Sequence, residues 1–179
     1  AEGFSFDTIA ASGLHSAMPH AVPTDKVLEQ GDFLTMDFGC LHEGYCSDMT
    51  RTVVIGKANE EQKKVYETVL LAQQTALSKL HAGMTGREID ALARDVITDA
   101  GYGEYFGHSL GHSVGLEIHE KPCFSPGENT VIQSGMVISV EPGIYIENFG
   151  GVRIEDLVVV TEDGCENLSS SPKELMEIE

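Results

Sequence analysis

The stretch GDFLTMDFG, Gly31 to Gly39, has a second copy at GMVISVEPG, Gly135 to Gly143. Each reads glycine, five mostly apolar residues, a carboxylate, one more residue and glycine, so Asp37 falls opposite Glu141. A short apolar run bounded by glycines reads as a buried strand. Each copy is followed by another strand-like run with a further acid: YCSDMTRTVVIG holds Asp48 and GVRIEDLVVV holds Glu155, eleven and fourteen residues after the first acid. Upstream of each, a histidine stands three residues before a proline, in His20-Ala-Val-Pro23 and His119-Glu-Lys-Pro122. The order histidine, carboxylate, carboxylate therefore occurs twice. Two copies are too few for a solenoid, which needs at least about three. The pattern predicts two halves of one domain related by a pseudo-twofold axis, each giving a strand pair to a shared centre. The second copy is preceded by two helices and the first begins close to Ala1, so a matching N-terminal portion is expected outside this sequence, with a merely unequal repeat as the other reading.

Those helices lie between the copies. Asn59 caps a predicted segment running to about His81, with Glu60 and Glu61 in its first turn, a Glu60/Lys64 pair, and Val65, Val69, Ala72, Ala76, Leu77 and Leu80 on one face. Thr85-Gly86-Arg87-Glu88 is a capping box that opens a second helix, with Ile89, Leu92, Ala93, Val96 and Ile97 at helical spacing until Gly101. Both read as scaffold, with no chemistry on them.

Composition narrows the function. The 179 residues suffice for one domain, and no apolar run nears the roughly 20 residues that cross a bilayer. Twenty-nine acids against eleven bases, a net charge of −18, argue against a nucleic-acid or anionic-membrane partner, because phosphate binding needs clustered Lys and Arg. Much of that acidity is expected on solvated surface. The first residues lack the basic start and apolar middle of a secretory signal. Cys40, Cys46, Cys123 and Cys165 show no CxxC spacing, so reduced thiols in a cytoplasmic protein are expected, with metal binding by Cys40 and Cys46 a minor alternative.

Asp37 and Glu141 each sit in an apolar strand, where an ionised side chain costs several kcal/mol unless paired or bound to metal. A solvent-facing acid explains one such residue, less well two at matched positions. Asp37, Asp48, Glu141 and Glu155 would bring four carboxylates together from four strands, and such a cluster repels itself unless cations sit among its members. Two divalent ions sharing a water are the natural solution, and one imidazole added to four carboxylates suits Mn, Co, Fe or Zn better than Ca or Mg. Arg153, two residues before Glu155, is expected on the same strand face, where a cation can orient a ligating carboxylate; the alternative is a surface arginine beside Asp156. In GHSLGHSVGLEIHE, Gly107 to Glu120, His108 and His112 have the spacing of a zincin helix, but the glutamate of HExxH is missing and Gly107, Gly111 and Gly115 make a poor helix. A glycine-rich loop running into a strand is predicted, in which the histidines need not act together.

The set TMDFG, YCSDMTRT, GHSLGHSVGLEIHE, VEPGIYI and GVRIEDLVVVTEDG, in that order, resembles the catalytic domain of the pita-bread metallopeptidases. SFDTIAASG followed by PHAVP, DMTRT and EPGIYI resembles the Xaa-Pro branch, aminopeptidase P and prolidase, rather than methionine aminopeptidase. The resemblance implies an α+β pita-bread (creatinase/aminopeptidase) fold with an antiparallel sheet covered by helices, residues 1–179 being a C-terminal catalytic domain that lacks its N-terminal domain and first helices. It implies Asp37, Asp48, His112, Glu141 and Glu155 as ligands of two divalent ions, commonly Mn, with Asp48 and Glu155 bridging. All five are present, unlike in the metal-free creatinase. Glu141 would also shuttle a proton, His20 and His119 would contact substrate and intermediate, His108 would line the substrate pocket, and Arg153 with Tyr145 would hold Asp37. The implied activity is hydrolysis of the peptide bond before proline by a metal-bridging hydroxide, on a peptide or dipeptide with proline second, by a homodimer when full-length. The alternatives are a catalytically incompetent fragment or pseudoenzyme acting as a binding module, and methionine aminopeptidase.

Overall fold

The computed structural model describes residues 1–179. Six strands precede the helices: β1 (Gly3–Phe4), β2 (Ile9–Ser12), β3 (Phe33–Phe38), β4 (Cys40–His42), β5 (Tyr45–Cys46) and β6 (Met49–Ile55). Then come α1 (Glu60–Lys79) and α2 (Gly86–Asp99). The second half holds β7 (Gly111–Ser113), β8 (Glu120–Phe124), β9 (Val137–Val140), β10 (Gly143–Ile146), β11 (Gly150–Arg153), β12 (Asp156–Val160), β13 (Cys165–Asn167) and β14 (Glu177–Ile178).

The repeat is visible in the strand order. In the first half β3 lies between β6 and β2, and in the second β9 lies between β12 and β7. Each long antiparallel pair is interrupted by a small inserted hairpin, β4–β5 in one and β10–β11 in the other. The glycine that opens each copy does the same work in both, since Gly31 and Gly135 turn into their strands at φ 92° and 88°, where a Cβ would be strained. The antiparallel pattern is extended by β14, which runs parallel to β6 at the sheet edge.

The two halves are sewn together by threonines that project from β3 and β6. Thr35 and Thr52 share a hydroxyl hydrogen bond of 3.0 Å, Thr52 Oγ1 donates to the Arg153 carbonyl at 2.9 Å, and the Glu155 amide donates to the Thr50 carbonyl at 3.1 Å. Two arginines cross the seam in opposite directions. Arg51 of the first half pairs with Asp156 of the second at 2.7 Å, and Arg153 of the second pairs with Asp37 of the first at 2.7 Å. Asp156 is fully buried, which corrects the reading of a surface acid beside Arg153.

The helices cover this double sheet. Both capping boxes form, Asn59 with Gln62 and Thr85 with Glu88. Val65, Val69, Ala72 and Ala76 of α1 and Ile89, Ala93 and Ile97 of α2 pack with Ile138, Val140 and Val158 in one core. Glu60 pairs with Lys63 at 2.8 Å, not with Lys64, whose ammonium lies 5.6 Å from the Tyr102 ring centre. Tyr66 is buried as well, with its hydroxyl donating to the Lys173 carbonyl at 3.0 Å, which pins the C-terminal segment across α1. Neither helix is long and apolar enough to cross a membrane. If the repeat rests on its two left-handed glycines, Gly31→Ala and Gly135→Ala will each cost about 1 kcal/mol or more, read as similar drops in thermal midpoint.

Candidate metal centre

The four acids lie where the long hairpins are interrupted. Asp37 is next to last in β3, Asp48 immediately precedes β6, Glu141 immediately follows β9 and Glu155 immediately precedes β12. They therefore come from the ends of four strands. Paired strands splay at an insertion, and four side chains gain room to converge that a continuous ladder would deny them. His112 sits at the centre of the short strand β7, which pairs with β9, and the preceding residues 107–110 form the expected glycine-rich loop.

The ligand atoms of Asp48, His112 and Glu155 all lie within 4.8 Å of one another. His112 Nε2 is 3.6 Å from Asp48 Oδ2 and 3.3 Å from Glu141 Oε1. The other ring nitrogen, Nδ1, faces the Ser113 carbonyl at 3.2 Å and donates to it, which leaves a lone pair on Nε2. Burial and the neighbouring His119 push the His112 imidazole down to about 4, so it is neutral at neutral pH. Nε2 therefore brings no proton of its own to the carboxyl groups it faces.

The carboxylates carry the same signature. Burial, with Asp37 and Glu141 alongside, pushes Asp48 up to about 8, and burial pushes Glu141 up to about 7. Glu155, 1% exposed, is driven well above the usual range by burial and by Glu141 and Asp48. Asp37 Oδ1 and Asp48 Oδ1 are buried with no hydrogen-bond partner, although nearly all buried polar atoms have one. Their orphaned oxygens and the unprotonated Nε2 are what a cation bound among these residues would satisfy, so the donor set fits a divalent metal of the Mn, Fe, Co or Zn kind.

Around these groups the remaining partners are filled. Arg153 donates through Nη2 to Asp37 at 2.7 Å, through Nη1 to the Tyr145 hydroxyl at 2.8 Å and to the Pro19 carbonyl at 3.2 Å, and through Nε to Thr50 Oγ1 at 3.1 Å. The Thr50 hydroxyl in turn donates to Glu155 Oε2 at 2.7 Å. Ser139 donates to Glu141 Oε1 at 3.0 Å and accepts the His112 amide at 3.0 Å. Neither Thr50 nor Ser139 was legible in the sequence as a site residue. The only available signal is that each stands two residues from a candidate ligand, which by the period of two puts it on that ligand's side of the strand.

A cleft of about 750 Å³ opens over the cluster, with His20, His108 and His119 in its wall. The His119 ring lies 4.2 Å from that of His112, and His108 Nε2 is 2.9 Å from the Tyr145 hydroxyl. Burial holds His108 neutral, down to about 4, and burial pushes Tyr145 up to about 12. Nine of the ten candidate site residues read from the sequence thus line one cleft, and Tyr145 stands behind it, hydrogen-bonded to His108 and Arg153. The four cysteines are free thiols, and Cys40 and Cys46 contribute nothing to the cluster.

Residues 1–162 match the model of metallopeptidase family M24, and the chain belongs to that family. A Xaa-Pro dipeptidase of Pyrococcus horikoshii is 52% identical over 98% of the chain and 50% of its own length. Among solved structures, a Xaa-Pro dipeptidase from Bacillus anthracis superposes with a TM-score of 0.97 at 55% identity, over 98% of this chain and 49% of that one. An X-Pro aminopeptidase from Thermotoga maritima gives 0.97 at 49% identity, over 99% and 51%. The fold is that of these enzymes' matching halves, and the chain spans about half the length of the relatives it matches.

The raised carboxyls make metal-free protein sensitive to pH. A carboxyl whose folded value lies above its unfolded one stabilises the fold at low pH and loses that contribution as pH rises through the folded value. Asp48 and Glu141 lose theirs on approaching about 8 and about 7. His112, lowered from 6.5, acts in the opposite sense only below its ordinary value. Between about pH 6.5 and pH 8 the thermal midpoint in a chelator will therefore fall, and a saturating divalent ion will cancel the fall. A midpoint that stays level or rises in chelator would contradict this account.

Proposed function

We propose that residues 1–179 are the C-terminal catalytic domain of a Xaa-Pro peptidase, an aminopeptidase P or prolidase, that hydrolyses the peptide bond preceding proline with two divalent ions. The observation that carries this reading is the set of one neutral imidazole and four carboxylates, two of them with orphaned buried oxygens, at the floor of an open cleft. Asp37, Asp48, His112, Glu141 and Glu155 would hold the ions, with Mn the favoured metal. When bound, divalent ions acidify water and polarise a carbonyl, which is the chemistry that peptide hydrolysis needs.

The protein's own groups do the rest. Glu141, poised near neutral, accepts a proton from the attacking water and delivers it to the departing proline nitrogen. His119, its ring tilted beside that of His112, and His20 in the cleft wall donate to the carbonyl oxygen as charge develops there. His108, neutral and tethered to Tyr145, lines the wall against which the substrate lies. Arg153 fixes Asp37 through Oδ2 and leaves its Oδ1 without a protein partner, available to a cation. The full-length protein is proposed to be cytoplasmic and a homodimer, acting on a dipeptide or short peptide with proline second.

In full-length protein, Asp48→Asn or His112→Ala will remove Ala-Pro hydrolysis, whereas Tyr145→Phe will lower it about 10- to 100-fold, as loss of a partner behind a ligand does. Elemental analysis should find two ions of the Mn class per chain. Unchanged turnover in Asp48→Asn, or no bound metal after reconstitution, overturns the proposal, and preference for Met-Ala over Ala-Pro would replace it with methionine aminopeptidase.

A further inference from the structure

Nothing in the sequence of α2 points to the site, yet one of its faces reaches it. Asp90 is 1% exposed, and Arg94, one turn on, closes on it with two hydrogen bonds, Nε to Oδ2 at 2.6 Å and Nη2 to Oδ1 at 2.9 Å. The fork has donors to spare. Nη1 donates to the Phe106 carbonyl at 2.9 Å and Nη2 to the His108 carbonyl at 2.8 Å, while the guanidinium lies 4.1 Å from the centre of the Phe106 ring. Asp90 Oδ1 also accepts the Leu110 amide at 3.1 Å. The pair therefore grips residues 106, 108 and 110 of the loop Phe106-Gly107-His108-Ser109-Leu110.

What the loop carries gives the grip its meaning. The His108 ring, edge-on to Phe106 at 5.1 Å, faces the cleft and is tied to Tyr145, and Tyr145 in turn accepts from Arg153. Leu110 has its amide on Asp90 and its carbonyl on the Glu141 amide at 2.8 Å. With glycine at 107 and 111 the loop has little stiffness of its own, so its place is set from outside. An i,i+4 ion pair made only to stabilise a helix would need none of these carbonyl contacts.

We infer that Arg94, anchored by Asp90, is a positioning residue of the site: it holds His108 at the height where it meets substrate. The inference rests on the peptidase reading for the substrate but not for the clamp itself. Lysine in place of Arg94 keeps the charge that Asp90 requires, yet three donors on one nitrogen cannot replace four bonds delivered from three nitrogens of a planar fork.

The test uses full-length enzyme with Arg94→Lys, alone and combined with His108→Ala. Amide hydrogen exchange reads the clamp without any activity: protection at Leu110 and its neighbours should drop about tenfold or more while amides of α1 and β9 keep theirs. Unchanged protection, or equal loss in α1 and β9, overturns the inference. Asp90→Asn, which leaves an oxygen for the Leu110 amide but weakens the hold on Arg94, should show the same local pattern in milder form, and a global loss there counts against it too. In Ala-Pro turnover, Arg94→Lys should lower kcat/KM about tenfold in the parent and less than about twofold in His108→Ala. Equal losses in the two backgrounds overturn the positioning role. A parent enzyme that turns over no Ala-Pro counts against the peptidase reading alone, and the exchange experiment still decides the clamp.

Discussion

Everything in this fold accommodates the burial of more negative charge than the protein itself can neutralise. Asp37, Asp48, Glu141 and Glu155 converge on a single imidazole, and the one cation within reach, Arg153, is used up on Asp37 and on the neutral partners Tyr145, Thr50 and Pro19. An uncompensated carboxylate in such surroundings costs several kcal/mol. The remaining charge is either protonated or shared with a metal, and the raised values of Asp48, Glu141 and Glu155 are the protonated alternative made visible. The repulsion among these buried carboxylates is what a bound cation would relieve.

The internal repeat makes the convergence possible. One strand pair with an inserted hairpin can bring two acids to its splayed end; two such pairs, back to back across a seam of threonines, bring four. The symmetry is used and then broken. Arg51 and Arg153 cross the seam in opposite senses, but Arg153 reaches a candidate ligand, whereas Arg51 reaches Asp156, which also takes Gln73, Asn167 and Lys173. One crossing ties down the C-terminal segment and the other serves the cleft. The imidazole is likewise supplied once, by β7 of the second half, because the strand that matches it in the first half, β2, carries only Ile, Ala and Ser.

Supporting contacts were the part that the sequence concealed. Thr50, Ser139 and the Asp90–Arg94 pair make ordinary sequence neighbours, and Asp90 and Arg94 sit on a helix whose apolar face fully accounts for its pattern. Their partners lie far along the chain, with Thr50 meeting Glu155 and Asp90 meeting Leu110, and no spacing rule connects them. The same holds for Lys63 and Lys64, since both can reach Glu60 along a helix and only the neighbouring Tyr102 ring draws Lys64 away.

By itself the sequence determined the main elements and singled out the candidate ligands. Capping boxes, apolar periods and the doubled glycine–strand–acid pattern are local or self-referential signals, readable because backbone geometry and burial impose them on the chain wherever it folds. Which oxygens are left without partners, which nitrogen of His112 is bare, and which helix face reaches the histidine loop were decided only in three dimensions. Those properties depend on groups dozens of residues apart meeting within hydrogen-bond distance, and on the loss of water that follows, neither of which any single stretch of sequence contains.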